Sequence, residues 1–238
     1  LYASNAKVAL VGGMMVWFFG TVGLAIRPLI LGHLFLALEL LVLHLARARD
    51  RRWLWALPPL FAVWVNCHGS YALGLSVLGV VTACSWVEWK AGLIECRRWD
   101  SRTRKLLAAT LALSGAALLA NPVGARLAAY PLDVLLNQPE NLANVTEWAA
   151  LDFQQPRGVG LLAAVGAIGL LVIARPAPLR LDELILLTMG TGMAVRHTRM
   201  VFVFGILAAP IVCRLLADAG ARYLHGRESR AANALLIA

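Results

Sequence analysis

Long apolar blocks constrain this chain more than any other feature. LILGHLFLALELLVLHL (29–45), GLLAAVGAIGLLVIA (160–174) and VFVFGILAAPIVC (201–213) hold a single charged residue between them, Glu39. A helix resting on a water-soluble core shows its apolar residues as one stripe. Residues that are apolar on every side belong in lipid, where about 20 of them cross the hydrocarbon layer. Only 15% of the residues are charged and 60% are hydrophobic, whereas a soluble domain carries about a quarter charged residues. The expected fold class is all-α, a polytopic transmembrane helix bundle in one domain, 1–238. About eight spans are predicted, near 8–25, 29–45, 53–67, 70–87, 106–120, 158–174, 181–194 and 200–216. Pro58 and Pro59 are expected to bend the third. The start, LYASNAK, has neither Met nor a leader pattern. The chain therefore reads as a fragment, with N-terminal spans expected before Leu1. Its four cysteines, Cys67, Cys84, Cys96 and Cys213, are scattered and form no CxxC pair. They predict neither a disulfide framework nor a metal site.

Loop charges assign the sides. The chain ends and the loops near 46–52, 88–105 and 175–180 hold seventeen of the 22 Lys and Arg, and the opposite side holds five. By the positive-inside rule the richer side is cytoplasmic. The same bias accounts for the net charge of +9 without a nucleic-acid partner.

The outer side then collects short polar turns. Arg27-Pro28 closes one hairpin, Asn66-Cys67-His68-Gly69 a second, and Arg196-His197-Thr198-Arg199 the last. Two accounts stand for each. Asn66 and His68 serve as helix caps, with Gly69 left-handed in the turn, or they face a polar site. Arg27, Arg196 and Arg199 snorkel to headgroups, or they clamp a phosphate, which guanidinium groups grip bidentately.

Between Asn121 and about residue 157 lies an outer segment too long for a bare connector. Asn121 is expected to cap a helix with Pro122 at its first position. Arg126, Tyr130 and Asp133 recur at i, i+4 and i+7, on one face of an amphipathic interfacial helix that Pro131 interrupts. Downstream stand Glu140, Glu147, Trp148, Asp152 and the sequon Asn144-Val145-Thr146. Among buried candidates, Glu39 is expected to pair with Arg47 or with a polar group on another span, and a transporter would use such a residue for protons. Asp182 and Glu183 suit a helix N-terminus.

The series WVNCHGSYALG, NPVGARLAAY, VTEWAALDF and RHTRMVFVFGILAAP resembles bacterial polytopic proteins of the GT-C glycosyltransferase superfamily, akin to protein mannosyltransferases and lipid A aminoarabinose transferases. The resemblance covers about residues 24–212. It implies a helical bundle in the bacterial cytoplasmic membrane that takes a sugar from a polyprenyl-phosphate carrier and passes it to an acceptor on the outer face. The family's catalytic carboxylate sits in the first outer loop, which here either precedes Leu1 or is lacking. Such transfer needs a base for the acceptor hydroxyl and cations for the departing phosphate. The candidates are Glu147 as base with Asp152 behind it, and Arg196 and Arg199 for the phosphate with Arg27 as a third. Asn66 and His68 would orient phosphate or sugar, in an outer cavity expected to be shared with the two arginines. Trp148 offers a sugar-stacking face, and Asn121, Arg126, Tyr130 and His197 complete the substrate-facing set. No cofactor is expected; a divalent metal would need His68, His197 and a carboxylate, and no ligand spacing supports it. Membrane lipid is the other expected partner. A transporter or flippase for a lipid-linked or anionic substrate is the alternative, and a non-catalytic scaffold the third.

Overall fold

The computed structural model describes residues 6–21, 28–137, 148–174 and 178–223. Arg27, Glu140, the sequon and Glu147 lie outside them. In chain order the helices are α1 (Ala6–Gly20), α2 (Leu29–Ala48), α3 (Leu57–Val65), α4 (Tyr71–Ser85), α5 (Ser101–Ala117), α6 (Ala125–Asn137), α7 (Pro156–Ala174), α8 (Leu181–Arg196) and α9 (Val201–Tyr223). The chain is mostly helical, as expected, with one short three-stranded sheet besides. Three segments are long and apolar enough to cross a membrane: Leu29–Ala48, Pro156–Ala174 and Thr198–Ala219. The first has 20 residues, about 30 Å of helix. The other predicted spans are represented by shorter helices, such as the 15 residues of α1 and of α4. Exposed Leu162, Leu170 and Ile173 on α7 suit lipid rather than water.

The chain forms two compact units. Unit one comprises Leu1–Gly23, Lys90–Glu95 and Ala150–Ala238; unit two comprises Leu24–Trp89 and Cys96–Ala149. In unit one, α9 packs along α1 and α8. Phe19 meets Phe204 edge to face at 5.3 Å, and Leu161, Leu187, Ile211 and Leu215 fill the core around them. Gly190 lets α8 approach the Phe204 backbone, where a Cβ would stand 3.2 Å away; such close helix approach is how lipid-embedded bundles gain packing energy.

One end of unit one is tied by charge. Leu179–Arg180 forms a short strand parallel to Ile94–Glu95, the inner part of a hairpin whose turn uses left-handed Gly92. The sequence reading took this region as plain basic loop. At the start of α8 the Arg180 N–H donates to Glu183 Oε2 at 3.0 Å, and the Arg180 guanidinium pairs with the same carboxylate at 2.6 Å. Glu183 also accepts from Arg214 Nε of α9 at 2.7 Å. The helix-start reading of Asp182 and Glu183 was right but missed this partner.

In unit two, Trp64 is fully buried, stacked on Phe61 at 5.3 Å and close to Phe35. The predicted third span is in fact divided. Residues Arg51–Ala56 form a 3-10 turn and α3 has nine residues. Its two prolines open α3 rather than bend it, because the first helical turn has no use for their missing N–H groups. At the far end of α2, Arg47 lies over the Trp99 ring at 4.5 Å, and Arg104 over Trp86 at 4.6 Å. Asp100 caps α5, accepting from the Arg102 and Thr103 N–H groups.

Pro131 does not interrupt α6. A proline removes the hydrogen bond to the carbonyl four residues earlier, here Leu127. The Tyr71 hydroxyl donates to that carbonyl at 2.5 Å. The orphaned acceptor is satisfied from another helix, so Arg126, Tyr130 and Asp133 keep one face of a continuous helix.

Candidate functional site

The turn that closes α3 onto α4 in unit two is built from its own polar residues. Asn66 ends α3 and its Nδ2 donates to the carbonyls of Ala62 and Ala120, both at 2.8 Å. Ser70 N–H donates to His68 Nδ1 at 3.1 Å. A neutral ring with Nδ1 as acceptor carries its proton on Nε2. Ser70 Oγ lies 2.9 Å from the same Nδ1 and accepts from Trp64 Nε1 at 3.0 Å. Gly69 is not left-handed, contrary to expectation; the positive-φ glycines among the described residues are Gly92 and Gly124. The hydrogen bonds around Asn66, His68 and Ser70 close the turn in its place.

Asn121 is committed to a turn rather than to a helix cap. Its Nδ2 donates to the carbonyls of Leu118 and Gly124, and its Oδ1 accepts from Val123 N–H at 2.8 Å. Pro122 therefore lies in the turn and α6 begins at Ala125, after left-handed Gly124. Arg126 and Tyr130 are exposed on α6, and Trp148 is half-buried.

Unit one gathers the other candidates at the end opposite Glu183 and Arg214. Leu151 N–H donates to the Val195 carbonyl at 3.0 Å, and Thr198 Oγ1 to the Ala150 carbonyl at 3.4 Å. These bonds bring the 150–157 segment to the end of α8. Arg196 is exposed, and His197 and Arg199 are half-buried. Asp152 is exposed and accepts from Gln154 N–H at 2.8 Å, in the turn that leads into α7. Arg157, to which the sequence reading gave no role, reaches the end of α1, where its Nη2 donates to Thr21 Oγ1 at 3.4 Å. Its only sequence signal was an arginine on the side that disfavours them.

The candidates thus form two groups. Asn66, His68 and Asn121 share one end of unit two. Asp152, Arg157, Arg196, His197 and Arg199 share one end of unit one. His68 and the two turn arginines belong to different units. Cys84, Cys96 and Cys213 are buried and Cys67 half-buried, all as free thiols. No family model, curated protein or solved structure matches this chain.

Proposed function

We propose that the chain is a membrane-embedded transferase that takes a sugar from a polyprenyl-phosphate carrier at the outer face of a bacterial cytoplasmic membrane. The observation that carries this reading is the grouping of Arg157, Arg196 and Arg199 with Asp152 at one end of unit one. Arginine is disfavoured outside the membrane and costly at the hydrocarbon edge. Three at one helix-bundle end are accounted for by an anionic group that they bind. A phosphate diester or monoester fits, because guanidinium planes hold its oxygens bidentately and stabilise the charge that develops as the sugar leaves. The acceptor hydroxyl would lose its proton to a carboxylate, Glu147 or Asp152. In this reading Arg27 adds a fourth cation, Trp148 stacks on the sugar, and α6 lies along the interface with Arg126 and Tyr130 on its polar face. Eight spans and the outer orientation belong to the same proposal, as do the absence of a cofactor and the resemblance to GT-C enzymes.

The test is native mass spectrometry of the purified protein with undecaprenyl phosphate, wild type against Arg196→Ala with Arg199→Ala. Saturable binding that the double variant loses is the expected result. Equal binding by both would make the arginines interfacial anchors and end the phosphate reading. One observation favours a transporter instead: Glu39 lies fully buried in a helix long enough to span. Flux of a lipid-linked sugar through proteoliposomes without any acceptor would favour that second reading.

A further inference from the structure

Glu39 is a carboxyl group that sugar transfer does not use. It sits midway along α2 with no exposed surface. Among the described residues neither of its oxygens has a hydrogen-bond partner. The expected pairing with Arg47 does not form; that guanidinium lies over Trp99. Among the described residues the elements packed most closely on α2 are the 3-10 turn, α3 and α4. The 3-10 turn brings Arg51 and Arg52, both exposed. No residue of α3 is titratable. From α4 come Tyr71, whose hydroxyl is bonded to Leu127, and Cys84 near its far end. On α2 itself the other titratable side chains are His33, His44 and Arg47.

Space for the carboxyl is made by a glycine. A Cβ on Gly74 would stand 2.8 Å from Glu39 Oε2 and 2.7 Å from Trp64 Cη2. Acid, indole and the bare backbone of α4 therefore meet at one point. Seven residues earlier on the same face of α2, about 10 Å along the axis, Gly32 lies against the polar turn. A Cβ there would stand 3.2 Å from His68 Nδ1. Trp64 joins the two levels. Its N–H bonds to Ser70 in the turn, while the opposite edge of the ring lies against Gly74 and Glu39.

An ionised carboxylate without partners is strongly disfavoured in such surroundings, and a neutral acid is tolerated. A metal cation would need several oxygen donors, and among the described residues no three His, Cys, Asp or Glu side chains cluster. The ligand chemistry that remains is a proton. We propose that Glu39 is a proton-binding site inside the membrane layer, which exchanges its proton with the His68 end of unit two past Trp64. The inference stands independently of the lipid-phosphate reading, and either can fail alone.

Hydrophobic carbodiimides test it. Dicyclohexylcarbodiimide adds to an un-ionised carboxylic acid in the lipid phase, and the adduct rearranges to a stable acylurea with no leaving group. The whole protein is placed in membrane vesicles of known orientation, labelled, and mapped by peptide mass spectrometry. The expected result is one adduct at Glu39, lost in Glu39→Gln. Labelling should fall as pH is raised on the His68 side alone, with the other side buffered. Wild-type protein that takes no adduct at Glu39 while remaining folded in the same vesicles would overturn the proposal. So would labelling that ignores pH on both sides, or that follows only the opposite side. Trp64→Phe keeps a ring but loses the bond to Ser70, and is expected to speed the response to pH on the His68 side. An unchanged response would remove Trp64 from the route.

Discussion

Glu39 and Glu183 are buried to the same degree, 0% and 3% exposed, and their surroundings differ completely. Glu183 begins a helix, where the free N–H groups favour a negative charge, and it is gripped by Arg180 and Arg214. Glu39 lies mid-helix against an indole and a glycine, with no donor to either oxygen among the described residues. Burial alone therefore says little about a carboxylate. The groups that reach it from neighbouring helices decide whether it is a structural tie or a site with chemistry left to do.

The largest effect should come from removing a tie. Arg214→Met leaves Glu183 with the partly exposed Arg180 as its remaining arginine partner, and should cost about 3 kcal/mol in thermal unfolding in detergent micelles. Adding Glu183→Gln to that variant should recover part of the loss, since the buried charge that Arg180 alone must then balance is gone. If Arg214→Met alone is neutral, Glu183 is no better anchored than Glu39 and the contrast collapses.

A smaller effect is expected beside Glu39. Gly74→Ala pushes a methyl group into the space shared by Trp64 and the carboxyl, at a cost of about 1–3 kcal/mol. Gly79→Ala on the same helix meets nothing within 4 Å and should gain about 0.5–1 kcal/mol from helix propensity. Equal behaviour of the two alanine variants in the same melting assay would show that the Glu39 site is looser than described.

The smallest effect belongs to an exposed carboxylate. Asp100 is held below the ordinary carboxylate value, chiefly by the Thr103 side-chain hydrogen bond, then by Thr103 and Arg102 backbone N–H groups. A lowered folded-state value means that its stabilisation is present above the unfolded carboxylate value. That stabilisation is lost as pH falls through the folded one. Melting curves of wild type and Asp100→Ala should therefore converge under acid conditions and separate modestly toward neutral pH. A gap that stays constant with pH would show that the cap acts through shape rather than charge.

The helical class and the three long apolar segments were legible in the sequence because a helix in lipid closes its hydrogen bonds within its own segment. Local composition suffices for that. The turn at Asn66–Ser70 was legible as a polar interruption, but not its construction: the closing bonds include one to Ala120, 54 residues away. The arginine at 157 was counted for topology and given no partner, since nothing local points to Thr21. Pro131 was misread for the same reason. Its local rule is sound, and the remedy comes from Tyr71, 56 residues before the carbonyl it serves.

By itself, then, the sequence determined the mostly helical class, which long segments are apolar enough for lipid, and which ends carry the basic excess. Each follows from residues within a turn or two of one another. Tertiary structure alone decided that Glu183 meets Arg214, that Tyr71 rescues the proline helix, and that Glu39 meets a glycine and an indole instead of a cation. Side-chain partners depend on which helix faces pack together, and residues far apart along the chain set that choice jointly.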